Sequence, residues 1–439
     1  MIARKDYDVI VIGGGPAGLA AATASAAKGA RTCLVEREER LGGILKQCVH
    51  DGFGLVRFGE QLAGPEYARR FIDLTARTDT EVHLETFVHA VRKEGGRHGE
   101  RRYVLECINR GEGAWEASAR ALVLATGCRE RTDRQVFIHG DRPAGILTAG
   151  LAQHLVNIEG LLPGRRAVIL GSGDIGLIMA RRLTLEGMEV EGVYELKGEP
   201  SGLSRNLRQC LEDFGIPLHL STTVTEVHGS RRVEAVTVAR VDARGQVQAG
   251  GARRIACDTL ILSVGLIPEN EIATSLGLSL DPATRGPRVD QEGESAVDGV
   301  FVCGNALHVN DLVDYVSESG EAAGAAAAAH ALRATAKEGP AGAPREAVRL
   351  KAGPGLLYVV PQFLDSARAG KAVIYFRSNA TLREGATVRL MAGEATILEK
   401  RYAALRPPEM ERLEVDLASI PAGAESLLLG LERREAGRD

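Results

Sequence analysis

The sequence is short of aromatic residues, net charge, paired cysteines and long apolar runs, and each shortage closes a class of function. Aromatic residues make up 4% of the 439 residues, with one tryptophan, against 52 glycines; that balance suits sheets joined by many close turns. The seven cysteines, at positions 33, 48, 107, 128, 210, 257 and 303, include no Cys-x-x-Cys pair and no metal-ligand spacing, so no metal site is expected. Cys33, Cys107 and Cys303 lie in apolar runs and read as buried core thiols; seven such thiols suit a reducing compartment, and a cytoplasmic protein is expected. A formal net charge of -4 favours neither nucleic acid nor an anionic membrane. No apolar run approaches the roughly 18 residues of a membrane span, and the alanine-rich stretch 322–336 is interrupted by His330 and Arg333. Arg4, Lys5 and Asp6 lead straight into a strand that the fold needs, which does not read as a signal peptide.

What is present is a repeated motif. Gly13-Gly14-Gly15-Pro16-Ala17-Gly18 and Gly171-Ser172-Gly173-Asp174-Ile175-Gly176 each follow a β-branched apolar run and each open a helical pattern. Residues 7–12 read as a central parallel strand buried on both faces. Gly13 permits the tight turn, Gly15 lets the backbone approach a pyrophosphate, and Gly18 lets the helix over 17–29 pack close to the sheet. The helix N-terminus then faces the phosphates. A strand over 31–35 ends at Glu36, about 20 residues on, where an acid can accept hydrogen bonds from ribose hydroxyls. The second copy repeats this with a strand over 167–170, a helix over 174–186 and a strand over 190–194 ending at Glu195. Two such copies imply two dinucleotides in one chain. Glu195 favours a free 2′-hydroxyl and repels a 2′-phosphate, so NAD(H) is preferred over NADP(H), with Lys197 nearby to soften the preference.

Strands are further expected over 81–91 and 102–109 around a hairpin tip at 95–101, then over 121–125, 218–227, 233–241, 259–264 and 300–303. Helices are expected over 145–161, 203–214 and from Asn305 to about 337, with a turn at 265–269. Composition marks 338–345 as a linker. Short strands over 356–360, 371–377, 386–391, 395–401, 411–417 and 426–431 then predict a small antiparallel sandwich, for which docking is narrowly preferred to a purely structural role. The expected architecture is α/β: tandem Rossmann-like FAD and NAD(P) domains, the NAD domain inserted in the FAD domain, plus a C-terminal all-β sandwich-like domain. Its boundaries fall at 1–145, 146–269, 270–337, the linker, and 346–439.

Over roughly residues 5–335 the chain resembles the pyridine nucleotide-disulfide oxidoreductase-like flavoproteins with two dinucleotide-binding domains. The resemblance implies FAD on the first fingerprint and NAD(P)H on the second. Gly13, Gly15, Pro16, Ala17 and Gly18 would then hold the FAD pyrophosphate, with Glu36 on the ribose and Arg37 beside it. Gly42 and Gly43 would follow the ribityl chain, Val88 would offer backbone to the adenine, and Ala125-Thr126-Gly127 matches the motif near the cofactor. The closing strand ends at Gly304, followed by Asn305 where the class usually has Asp. Gly171, Gly173, Asp174, Ile175, Gly176, Glu195 and Gly265 fall to the nicotinamide nucleotide. The segment from Gly42 to Gly54 (G-G-I-L-K-Q-C-V-H-D-G-F-G), with Gly64-Pro65-Glu66-Tyr67 and Gly304-Asn305-Ala306-Leu307-His308, resembles oxidoreductases related to the flavin subunits of opine and sarcosine-type dehydrogenases. Similar proteins are associated with glycerol 3-phosphate dehydrogenase. That resemblance alone implies a partner flavoprotein subunit or a small cysteine-rich protein as electron acceptor, beside a free small molecule.

The disulfide reductases of this class need a cysteine pair beside the flavin; here Leu45 and His50 stand where those cysteines would be. Cys48 is the one thiol in a flavin-proximal loop, either a redox thiol activated by Lys46 and His50 or a packed, flavin-contacting one. His50, Asp51, His308, Asp311 and Asp314 are candidates for proton transfer, each with a plainer reading as loop, cap or ribityl contact. Hydride transfer at a flavin needs no side-chain nucleophile. The expected function is therefore hydride exchange between NAD(P)(H) and FAD with electrons passed to a second acceptor. The alternatives are a single-cysteine oxidase or disulfide reductase through Cys48, and an assembly subunit whose FAD is structural.

Overall fold

The computed structural model describes residues 4–95, 101–335 and 347–433. Residues 96–100 of the expected hairpin tip and the whole expected linker lie outside them. The chain forms two compact units, Met1–Cys128 with Pro268–Asp439, and Arg129–Ile267. It passes between them at 128/129 and 267/268, where the sequence suggested 145/146 and 269/270. His139–Gly140 pairs with Thr222–His228, which attaches residues just after 128 to the second unit.

In the first unit five short strands form a parallel sheet in the order Val300–Val302, Ala121–Leu124, Val9–Ile12, Thr32–Val35, Glu81–His83. The inner strands carry runs of Val, Ile, Leu, Cys and Ala that are buried on both faces, as a covered parallel sheet requires. One face packs against the helices Pro16–Ala27 and Val313–Thr335. These helices touch through small residues: a methyl group at Gly320 would lie 2.2 Å from the Ala17 carbonyl oxygen, and one at Gly324 would lie 2.1 Å from that of Ala21. The other face packs against an antiparallel meander of Thr86–Gly95, Arg101–Asn109 and Gly113–Ala119. The strand expected over 81–91 is thus two strands. Glu85 takes a left-handed φ of 48°, and the chain turns there from the parallel sheet into the meander.

The second unit repeats the plan with a parallel sheet ordered Ile146–Thr148, Thr259–Leu262, Arg166–Leu170, Glu189–Tyr194, Leu218–His219. Residues 145–161, expected as one helix, begin as the strand Ile146–Thr148. The helix Ala149–Asn157 follows, with the Thr148 hydroxyl accepting from the Leu151 N–H at 3.3 Å. Pairing with Thr259–Leu262 overrides helical propensity in those three residues. The expected strand 218–227 divides at Ser221, whose φ is 49°, so Leu218–His219 joins the parallel sheet and Thr222–His228 a second sheet. The helix expected over 203–214 is Ser204–Cys210 followed by a short 3-10 turn.

The C-terminal residues build a sandwich of a five-stranded and a three-stranded sheet around one apolar core. All six expected strands are present. Ala347–Ala352 and Phe363–Asp365 are added, the former pairing parallel with the final strand Ser426–Arg433.

Candidate functional site

The first fingerprint is a turn with the Cβ positions closed on one side and open on the other. Gly13 has a φ of 107°, and a methyl group there would lie 2.4 Å from the Ala125 carbonyl oxygen; at Gly18 it would lie 1.7 Å from that of Gly13. Both glycines are therefore demanded by strand–helix contact. At Gly15 the nearest obstacle to a methyl group is the Gly43 Cα at 3.9 Å, and Gly127 has nothing within 4 Å. Gly15 and Gly43 thus bring two stretches of bare backbone together beside the N-terminus of the helix Pro16–Ala27, whose first residue is proline and whose first turn carries no acid. Backbone of that kind admits an anion closely.

Glu36, 7% exposed, is fixed by two amides. Its Oε2 accepts from the Gly14 N–H at 2.7 Å and its Oε1 from the Glu38 N–H at 2.8 Å. Each oxygen keeps a second lone pair for a ligand hydroxyl. Arg37 donates to Glu269 at 3.1 Å, and the Glu269 carbonyl accepts from the Thr126 hydroxyl at 2.6 Å, so Arg37, Thr126 and Gly127 are joined through a residue that sequence reasoning did not single out. Val88 lies at a bulge of the meander beside Cys107. The residues present fit an adenine dinucleotide: a glycine-lined cradle, a helix start and a fixed acid with lone pairs free for hydroxyl donors.

The second fingerprint reproduces this arrangement. A methyl group at Gly171 would lie 2.0 Å from the Ser263 carbonyl oxygen and one at Gly176 2.6 Å from that of Gly171, whereas Gly173 is open. Glu195, 5% exposed, takes the Ser172 N–H at 3.0 Å and the Ser172 hydroxyl at 2.6 Å on Oε2, and the Lys197 N–H at 3.0 Å on Oε1. Asp174 departs from the first copy. Its Oδ1 accepts from the Leu203 N–H at 2.9 Å and the Asn206 amide at 2.7 Å, tying down the residues around them. Gly265, with φ of 101° and nothing within 4 Å, accepts from the Arg131 N–H at 3.0 Å.

Cys48 follows the 3-10 turn Gly43–Gln47. Its thiol donates to the Ile44 carbonyl at 3.3 Å, and burial pushes it up to about 12. Lys46 pairs instead with Glu38 and the Arg40 carbonyl, and His50 lies against the Asp51 carbonyl and the Phe53 ring. The thiolate-forming arrangement suggested by the sequence spacing is not built. Asp51 accepts from Gln61 at 2.9 Å.

The closing segment carries buried polar groups. Asn305 Oδ1 accepts from the Asn310 N–H at 3.0 Å and the Asn310 side-chain amide at 3.3 Å; nothing in the sequence marked Asn310. His308 is 2% exposed, and burial, aided by the nearby Arg377 charge, lowers its pKa to about 3. It is a neutral imidazole whose Nδ1 has no hydrogen-bond partner among the described residues. Asp314 Oδ2 accepts from the Val56 N–H at 3.4 Å, while its buried Oδ1 has no partner among the described residues. Asp311 is held on both oxygens, by Arg377 and by the Met410 N–H. Near the other end of the last helix, His330 Nδ1 stands 3.8 Å from Glu294 and 3.9 Å from Asp298, an ion-pair spacing far along the chain from these groups.

Residues 7–338 match the sequence profile of the pyridine nucleotide-disulphide oxidoreductases. The chain is 30% identical over 289 residues to the HcnB component of hydrogen cyanide synthase from Pseudomonas protegens, covering 61% of this chain and 58% of that one. It is 24% identical over 318 residues to an opine oxidase subunit from Agrobacterium tumefaciens, covering 69% and 62%. It thus spans about six-tenths of the length of these relatives. Its fold matches thioredoxin reductase from Lactococcus lactis with a TM-score of 0.60 and 19% identity, over 74% of this chain and 99% of that one. The chain belongs to the pyridine nucleotide-disulphide oxidoreductase family, a family of flavin-dependent oxidoreductases.

Proposed function

We propose that the chain binds FAD in the first cradle and NAD(H) in the second, and relays electrons between the nicotinamide and a second acceptor. The observation that carries this reading is the duplicated latch, in which a buried glutamate is clamped by the amide of the second fingerprint residue in each copy. A single such turn suits many ligands; two with the same acid geometry suit two adenosine ribosides. Bound FAD would supply a two-electron carrier able to take hydride from a dihydronicotinamide and pass electrons on.

The protein's own part is to bind and orient. Gly13, Gly15, Pro16, Ala17 and Gly18 would line the FAD pyrophosphate, with Gly42, Gly43, Ala125, Thr126, Gly127, Gly304 and Asn305 along the rest of the cofactor. Gly171, Gly173, Ile175 and Gly176 would do the same for NAD(H). Glu195 supports NAD(H) over NADP(H), because both of its oxygens are fixed where a 2′-phosphate would bring a second negative charge. The second acceptor is a partner protein or a small molecule. The names of the relatives, which are components of larger enzymes, support the former. A Cys48-centred oxidase or reductase is disfavoured, since a thiol near 12 holds its proton at neutral pH.

Anaerobic titration of the purified yellow protein with NADH and NADPH tests the proposal. NADH is expected to bleach the flavin band at lower concentration than NADPH. A flavin that neither nucleotide reduces would sink the relay and leave a protein with structural FAD.

A further inference from the structure

The C-terminal sandwich reaches the loop that follows the closing strand through the Arg377 guanidinium, beside the Met410 N–H that takes the second oxygen of Asp311. Arg377, on the strand Lys371–Ser378, donates through Nε to the Tyr358 hydroxyl at 2.8 Å and through Nη1 to the Pro408 and Pro407 carbonyls at 2.6 and 3.2 Å. Its Nη2 reaches the Val309 carbonyl at 3.5 Å and the Asp311 carboxylate. Val309 and Asp311 flank Asn310. That residue makes two donations to Asn305 Oδ1, and its side-chain amide also reaches the His308 carbonyl at 2.9 Å. With Oδ1 occupied, the Asn305 amide is turned so that its remaining group is the Nδ2 donor, which also reaches the Cys128 sulfur at 3.6 Å.

We propose that Arg377 is a positioning residue for the flavin site: by holding residues 309 and 311 it sets Asn310, which turns the Asn305 amide to present a donor to the cofactor. The C-terminal sandwich is on this account part of the flavin site, not a detachable docking module. The inference rests on the reading of the first cradle as an FAD site. A guanidinium suits the task because its planar fork serves a carboxylate, a hydroxyl and carbonyls at once; an ammonium cannot hold all of them. Arg412 supplies a built-in comparison. It makes a two-pronged pair with Glu318, Nε to Oε2 at 3.1 Å and Nη2 to Oε1 at 2.6 Å. That pair joins the same sandwich to the last helix without engaging the loop that carries Asn305 and Asn310.

The test compares Arg377→Gln, Arg377→Lys and Arg412→Gln in the full chain. FAD dissociation is read by flavin fluorescence, the flavin midpoint potential against a reference dye, and folding by thermal melting. Both Arg377 variants are expected to release FAD about tenfold more readily and to shift the potential, because small misplacements of a cofactor contact carry large penalties. Arg412→Gln should lower the melting temperature while leaving FAD affinity within about twofold. On an Asn305→Ala background Arg377→Gln should add little, since both act on one contact. Should Arg377→Gln fail to fold, Asn310→Ala, which spares the seam, is expected to reproduce the FAD loss. Equal FAD losses for Arg377 and Arg412 variants, full additivity with Asn305→Ala, or an Asn310→Ala chain with native affinity would each overturn the proposal. A wild-type chain that takes up no FAD would instead overturn the reading beneath it.

Discussion

The two cradles share a latch and differ in what surrounds it. In the first, the latched residue is Gly14 and the helix begins at Pro16, so no polar side chain stands at either place, and the backbone at Gly43 comes up against Gly15. In the second, Ser172 and Asp174 stand at the equivalent places and their polar atoms are bonded to Glu195, Leu203 and Asn206; the Ser201 N–H in turn donates to Ser172. A bare, backbone-lined mouth closed by a second glycine loop suits a cofactor that stays. A mouth with a carboxylate beside the helix start, where an anion's charge is opposed, suits a ligand that binds less tightly and leaves. On the proposed reading, two side chains would tune one motif to residence in the first cradle and to turnover in the second.

The strongest way to break this comparison is to fill each cradle separately. Gly18→Val, whose Cβ would lie 1.7 Å from a carbonyl oxygen, should yield colourless protein. Gly176→Val should retain full flavin absorbance yet show no bleaching by NADH; loss of flavin from the second variant would show that the cradles are not independent. Next in size, Glu195→Ala removes the acceptor for Ser172 and Lys197 and should weaken NADH binding roughly tenfold to hundredfold by leaving donors unpaired. NADPH binding should weaken less, which parallel binding titrations would reveal. Asp174→Asn keeps the acceptor for Leu203 and Asn206 but deletes the charge, so NADH affinity should rise about two- to fivefold; an unchanged affinity would remove charge from the account. The smallest effect is expected at Cys48. Cys48→Ser should change turnover less than about twofold, and alkylation of the wild-type thiol should stay slow from about pH 7 to 10, rising only toward its pKa of about 12.

The strand–turn–helix units and the acids that end their second strands were legible because glycine, β-branched runs and a fixed spacing are all local signals. The turns at Glu85 and Ser221 were not, since each places a non-glycine residue at positive φ inside a run whose alternation continues across it. Ile146–Thr148 reads as helix because nothing local reports the neighbouring strand Thr259–Leu262 that claims it. Spacing placed Glu36 and Glu195 at their strand ends, but their partners at the second fingerprint position were not foreseen, as no rule weights that residue. Arg377 was invisible because its partner Asp311 is distant in sequence, and Asn310 because its pairing with Asn305, five residues away, follows from a loop path that no local pattern reports.

The small-residue seam between the helices Pro16–Ala27 and Val313–Thr335 has its own bearing on genetics. Gly320 and Gly324 face the Ala17 and Ala21 carbonyls at separations that admit hydrogen and nothing larger. A screen of random mutants for pale colonies should therefore recover codons 320 and 324 beside those of the fingerprint, although they lie far from it along the sequence.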